Sequence, residues 1–259
     1  MNQEEAIIAG QCDRGGGYRE LVLASPRIAA TVRPGQFVHL RIPDLHGAVL
    51  RRPFSIYRAA GDNLHILYKN VGLGTTAMNR LEEGRQVSIL GPLGNGFPLE
   101  LNDRQPVLVA GGYGVAPLYY LAEKLREKGR LLVGGRTAQD ILLIDEFTKL
   151  GWQVEVATDD GSSGRRGMVT VLLDELLDTA PAGRCVFYAC GPDGMLKALA
   201  ERALAHGLPA WLSLDKHMGC GVGACLACVT RIRTDDGSES WKRVCKDGPV
   251  FAAREVVWE

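Results

Sequence analysis

The chain has 259 residues, 46% hydrophobic and 23% charged, which fits two or three folded domains and excludes a disordered chain. Lys plus Arg equals Asp plus Glu at 30 each, so no global field draws the chain to nucleic acid or an anionic membrane. The acidic opening MNQEEAIIAG lacks the order of a secretory signal, and the uncharged run 105–122 is broken by AGGYGVAP, so neither export nor a membrane span is expected.

Residues 1–102 hold short runs rich in strand formers: RIAATV, GQFVHLRI, RPFSIYRA, NLHILYK and RQVSIL. Apolar and polar residues alternate within them, and Gly or Pro separates most, which predicts a small antiparallel β-barrel. One helix is expected, TTAMNRLEEG, with Thr75 or Thr76 as N-cap and Gly84 at its end. The strand LRRPFSIYR admits two readings: an edge strand with a solvated basic end, or a ligand strand. In the second, Arg52 grips a phosphate, Ser55 bonds a ring edge and Phe54 packs on a flat ligand. The loop VGLGTTAM is a second candidate phosphate seat.

From 103 to 208 the rhythm changes. PVLVAGG, RLLVGGR, WQVEVATDD and RCVFYACG read as strands, with APLYYLAEKLREKG (closed by Gly129) and DGMLKALAERALAHG as helices. Strands alternating with helices predict a parallel sheet. VLVAGGYGVAPL places Gly112 and Gly114 in an incomplete dinucleotide fingerprint, with Pro117 where a third glycine belongs. The acidic residue expected after the second strand is replaced by Gly135-Arg136. A second turn, Cys190-Gly191-Pro192, precedes a helix at a strand's C-terminal end, where ligands of open α/β sheets bind.

The segment 209–259 carries the densest chemistry. Cys220, Cys225 and Cys228 have the spacing C-x4-C-x2-C, and Cys245 follows after sixteen residues. This is the ligand pattern of plant-type [2Fe–2S] clusters. Gly219, Gly221 and Gly223 let the backbone approach inorganic sulfide. Structural zinc is the alternative, but it favours paired Cys-x2-Cys knuckles, and only one is present. Without an export signal a cytoplasmic setting is expected, where clustered cysteines bind metal before they form disulfides. Cys12 and Cys185 read as buried small hydrophobes. His217 has no second histidine with which to build a Rieske site.

Taken together, RPFS at 52–55, GGYGVAP at 111–117, CGPDGM at 190–195 and CGVGACLACV…RVCKDGPVF resemble the electron-transfer subunits of class 1B dihydroorotate dehydrogenase, within the ferredoxin–NADP reductase superfamily. The resemblance spans essentially the whole chain. It implies three domains: an FAD-binding barrel at 1–102, an NAD-binding α/β domain at 103–208 and a [2Fe–2S] domain at 209–259. FAD would meet Arg52, Pro53, Phe54 and Ser55, then Leu67, Tyr68 and Lys69, then Gly74 and Thr75. Many relatives carry tyrosine where Phe54 stands. NAD would lie along Gly111, Gly112, Gly114, Val115 and Pro117, with Cys190, Gly191 and Pro192 near the nicotinamide. Arg136, Arg165 and Arg166 leave NADP open.

The resemblance further implies a separate FMN-containing catalytic subunit, in a heterotetramer with two copies of each chain, working in pyrimidine biosynthesis. Leu226 and Trp241, if exposed, are candidate contacts. No catalytic triad or carboxylate pair is expected, because hydride transfer asks for none. Two rival readings are a free-standing NAD(P)H:ferredoxin-type reductase and a zinc-stabilised binding protein.

Overall fold

The structure, a computed structural model, describes residues 1–258 except 44, 46–48 and 180–183. The first unit is built from β1 (Asn2–Gly15), β2 (Tyr18–Ala24), the short α1 (Pro26–Ala29), β3 (Phe37–Arg41), β4 (Arg52–Ser55), β5 (Arg58–Ala60), β6 (Asn63–Lys69), α2 (Leu73–Met78) and β7 (Gln86–Leu93). Its strands form one antiparallel sheet ordered β4-β3-β7-β1-β2-β6-β5, an open barrel. Alternation along the strands explains why it curls. In β1, Glu4, Ala6 and Ile8 turn inward and their neighbours outward. Leu21, Leu23, Val38, Leu40, Ile66 and Ile89 fill the interior.

Three local expectations fail here. RIAATV contributes to helix α1 rather than a strand, because Pro26 opens a turn whose free N–H groups find the Glu4 carboxylate. Helix α2 begins at Leu73 after Gly72 and ends at Met78. Thr75 acts inside it, its hydroxyl accepting the N–H groups of Val71 and Gly72. Cys12 is exposed on β1, whereas Cys185 is buried as expected.

The second unit runs β8 (Gln105–Gly111), a 3-10 turn (Gly112–Gly114), α3 (Val115–Lys124), β9 (Arg130–Gly135), α4 (Ile144–Lys149), β10 (Gln153–Thr158), β11 (Arg165–Arg166), α5 (Thr170–Thr179), β12 (Cys185–Cys190), α6 (Asp193–Ala205) and β13 (Ala210–Ser213). The sheet order is β11-β10-β9-β8-β12-β13, parallel throughout, and a strand from the tail adds antiparallel beside β13. β8 and β12 are almost wholly buried, as central parallel strands covered on both faces must be. Helix α3 stops at Lys124, short of Gly129, because Leu125 is extended. Gly129 serves a different end: a Cβ there would lie 1.9 Å from the Pro106 carbonyl oxygen, so only glycine lets the chain pass β8.

The remaining strands are β14 (Val229–Arg233), β15 (Glu239–Arg243) and β16 (Val250–Ala252). β14 and β15 form a separate two-stranded hairpin, to which the segment 255–257 bonds through Arg231 and Arg233, while β16 returns to pair with β13. The tail thus shares a sheet with the second unit. It is also pinned to the barrel, where Asn95 Nδ2 donates to the Asp247 carbonyl at 2.9 Å. Among the described residues no helix is long and apolar enough to cross a membrane.

Candidate functional site

Three groups of residues converge where the units meet. The first lies on β4 of the barrel. Arg52, Pro53, Phe54 and Ser55 are all half-buried on this edge strand. Gly74 faces Arg52 so closely that a Cβ would come within 2.9 Å of Nε. A side chain there would press on Arg52 and Ile42, so the glycine leaves room for the Arg52 side chain over the loop that starts α2. Phe54 meets Tyr68 edge-on at 6.2 Å. Beside Gly74, Leu73 is 84% exposed, and Val71 is 76% exposed. A basic side chain ringed by uncovered apolar groups suits a flat ligand with an anionic tail.

The three residues of the 67–69 strand separate. Leu67 packs toward the α/β unit, and Tyr68 points into the barrel core with its hydroxyl donating to Asn79 Oδ1 at 2.8 Å. Lys69 reaches across to Asp140 of the second unit at 2.7 Å. Tyr18, which composition did not single out, donates to the same carboxylate at 2.9 Å.

The second group joins the two glycine turns of the parallel sheet. β8 and β12 are adjacent, so the 111–117 and 190–192 turns leave the same edge side by side. Their contact is tight. A Cβ on Gly114 would lie 2.2 Å from the Cys190 carbonyl oxygen, and one on Gly111 would lie 2.7 Å from Pro192 Cδ. Gly114 thus serves the packing of turn on turn. Gly112 has φ +53 and supplies the left-handed step. Val115 and Pro117 are buried in α3 and anchor the turn from below. Burial pushes the Cys190 thiol up to about 12, against a hydrogen bond with Ser213, so it remains a protonated wall and not a nucleophile.

The third group is the cysteine loop. Backbone amides link its four cysteines two by two. The Cys220 N–H donates to Cys225 Sγ at 3.4 Å, and the Cys245 N–H donates to Cys228 Sγ at 3.4 Å. Cys220 Sγ accepts from the N–H groups of Val222, Ala224 and Cys225 at 3.5, 3.2 and 3.4 Å. Burial opposes ionisation of Cys220, but these donors prevail and bring its thiol down to about 6. Cys245 goes the other way: burial and the neighbouring Cys228 sulfur push it up to about 12.

Among the described residues no three His, Cys, Asp or Glu side chains gather as ligands for one metal ion. Two pairs are what a binuclear cluster needs, since its four thiolates divide between two irons. Gly221 and Gly223 have φ +71 and +86, and Arg243 donates to the Gly223 carbonyl at 3.2 Å to hold the loop. The donor set and the inward amides fit a [2Fe–2S] group.

One residue that the sequence did not flag belongs beside this loop. His39, on β3, is fully buried, and neither ring nitrogen has a hydrogen-bond partner. Burial, with the nearby Arg51 charge, pulls its imidazole down to about 4. The only clue in the sequence is a titratable residue in the middle of the apolar run FVHL.

An open flavin-type barrel, a parallel nucleotide sheet and a tail of paired thiolates define an iron–sulfur oxidoreductase of the ferredoxin–NADP reductase fold. Comparison with known proteins agrees. A family model for the iron-sulfur cluster binding domain of dihydroorotate dehydrogenase B matches residues 215–257, and one for the oxidoreductase NAD-binding domain matches residues 108–201. The dihydroorotate dehydrogenase B (NAD(+)) electron transfer subunit of Geobacillus kaustophilus is 43% identical, with 99% of each chain covered.

A solved NADH-dependent reduced ferredoxin–NADP oxidoreductase, determined for flavin-based electron bifurcation, is 30% identical with a TM-score of 0.84, covering 98% of this chain and 90% of that one. A Neisseria gonorrhoeae ferredoxin NADP+ reductase with bound FAD and NADP shares the fold at a TM-score of 0.65 and 17% identity, over 80% of this chain and 92% of that one. The chain belongs to the family of dihydroorotate dehydrogenase B (NAD(+)) electron transfer subunits.

Proposed function

We propose that this chain carries electrons between an FMN-containing dihydroorotate dehydrogenase subunit and NAD, through a [2Fe–2S] cluster and FAD, in pyrimidine biosynthesis. The observation that carries the reading is the gathering of four cysteines, linked two by two through backbone amides, beside the barrel, in a chain 43% identical to a named electron transfer subunit. Bound in the barrel, a flavin supplies the exchange between two-electron hydride chemistry and one-electron cluster chemistry, which no side chain can supply.

The protein's own residues bind and orient. Arg52 provides the cation for a pyrophosphate, with Gly74 and Thr75 shaping the loop beneath it. Pro53, Phe54 and Ser55 form the wall on which the flavin ring lies, and Leu67, Tyr68 and Lys69 make up the neighbouring strand. Gly111, Gly112, Gly114, Val115 and Pro117 receive the dinucleotide, and Cys190, Gly191 and Pro192 border its nicotinamide end. Cys220, Cys225, Cys228 and Cys245 would hold the cluster through their thiolates. The hydride exchange with NAD asks no side chain to move a proton, whereas a flavin reduced by two single electrons from the cluster would also take up one proton, which solvent supplies.

We assign the three domains as 1–102 for FAD, 103–208 for NAD and 209–259 for the cluster, the last two sharing one sheet through the pairing of β12 with β13 and of β13 with β16. Leu226 and Trp241 are 60% and 61% exposed and line one cavity of about 540 Å3 with Val229, Lys242, Arg243 and Asp247. We assign this face to the catalytic partner, in a cytoplasmic heterotetramer of two copies of each subunit. The free-standing ferredoxin-type reductase is disfavoured by the full-length match to an electron transfer subunit.

The test is reconstitution with the FMN subunit from the same host. Dihydroorotate should drive NAD reduction only when both chains are present, and Trp241→Ser should weaken their co-elution on size exclusion. Two chains that never associate, with NADH oxidised at full rate by soluble ferredoxin alone, would contradict the reading.

A further inference from the structure

His39 is the buried polar group for which the rest of the fold leaves no task. It stands on β3 opposite Pro53 of β4 and Leu90 of β7. Phe37, two residues away and therefore on the same face, belongs to the apolar cluster that includes Cys228, Val244 and Cys245. Its ring meets the His39 ring edge-on at 5.8 Å. This face of the barrel sheet thus looks onto the cysteine tail and away from the barrel interior.

The orientation of the ring is set by Gly221. A Cβ on Gly221 would lie 2.5 Å from Cε1, 2.6 Å from Nδ1 and 2.8 Å from Nε2 of His39. Near-equal distances to three adjacent ring atoms put that Cβ over the face of the ring, so the imidazole lies flat against the backbone between Cys220 and Val222, with both nitrogens bordering the cysteine loop. Neither nitrogen has a partner in the protein, although a neutral imidazole carries one N–H donor that burial makes costly to leave unmade. A core histidine kept only for packing would have its donor satisfied within the fold. Leucine would fill the same place without the penalty.

We propose that His39, a residue of the flavin barrel, donates its ring N–H to a sulfur of the cluster held by the Cys220–Cys228 loop, and so tunes how readily that cluster accepts an electron. The inference rests on the cluster reading above. Hydrogen bonds to cluster sulfurs stabilise the reduced, more negative state and raise its potential. His39 is then a positioning residue that ties the potential of the tail to correct docking on the barrel.

The measurement is an EPR-monitored redox titration of the holoprotein. His39→Leu should keep the reduced-cluster signal but shift the one-electron equilibrium roughly tenfold toward the oxidised cluster, about 59 mV in midpoint. His39→Gln, which retains a donor, should recover at least half of that shift. An unchanged midpoint in His39→Leu with a full signal overturns the proposal. If His39→Leu fails to load the cluster, pulsed EPR on His217→Asn protein carrying isotope-labelled histidine replaces it. A weak nitrogen coupling to the reduced cluster is expected, and its absence overturns the proposal. A wild-type protein with no sulfide and no signal is a separate outcome, which removes the cluster reading and this inference together.

Discussion

Lys69 Nζ lies 2.7 Å from Asp140 Oδ1, so the last residue of the barrel strand β6 is tied to the turn that follows β9 of the α/β unit. Tyr18 donates to the same oxygen, and Lys69 lies over its ring at 4.6 Å. Bonding to Lys69 holds the Asp140 carboxyl below its usual range, and Asp140 in turn raises Lys69. The tie therefore contributes stability above the unfolded aspartate range, about 4, and loses it as pH falls through the lower folded value. On the alkaline side it is present below the unfolded lysine range and is lost as pH rises through the raised folded value. Asp140→Asn should cost about 1 kcal/mol at neutral pH, discounted because Lys69 is a third exposed, and less at acid pH. Urea unfolding at a series of pH values measures it, and equal midpoints at pH 7 would contradict the tie.

Helix α1 depends on a carboxylate from another strand. Glu4 Oε1 accepts from Arg27 N at 3.1 Å and Oε2 from Ile28 N at 3.2 Å, while Ser25 donates to it as well. Burial opposes the charge, but these donors win and lower the Glu4 pKa. Its contribution is thus full above the unfolded glutamate range and disappears as pH falls through the lower folded value. Glu4→Ala should destabilise the barrel by about 2 kcal/mol at neutral pH, measured as a lower thermal midpoint. A midpoint within a degree or so of wild type would show that α1 caps itself.

The contact of Gly114 with the Cys190 carbonyl makes a clear steric prediction. Gly114→Ala must push the two turns apart, at about 1–3 kcal/mol of stability. The NADH KM should rise about tenfold as the two walls of the crevice lose register. Steady-state kinetics on folded protein measure this, and an unchanged KM would place the dinucleotide elsewhere.

Cys228 is buried and paired with Cys245, so its loss should remove one half of the cluster's support. Cys228→Ser should abolish the low-temperature EPR signal and electron delivery to the partner. Flavin content and flavin reduction by NADH should persist, because Arg52, Phe54 and the two glycine turns do not depend on the tail's sulfurs. Loss of flavin reduction in a folded variant would contradict the order of carriers.

How much of this was readable beforehand follows from how local each signal is. The cysteine spacing, the strand β8 and the turn after it are written in contiguous residues, and the sequence alone placed them. RIAATV alternates like a strand, and only the distant Glu4 makes part of it helical. The hairpin β1–β2 is not legible in the acidic opening MNQEEAIIAG, yet Glu4 points inward and residues 2–7 of β1 pair with β7. His39 could not be recognised from FVHL, because its meaning lies in Gly221, far along the chain. Nor could Lys69 be seen to leave its strand's neighbours for Asp140.

The measurement that bears most directly on the whole account is metal, sulfide and flavin analysis of the chain purified anaerobically, read with its visible spectrum. The account predicts about two irons and two acid-labile sulfides per chain, with one FAD and a red-brown absorption over the flavin bands. A colourless protein holding a single zinc through its thiolates, without sulfide, would contradict it.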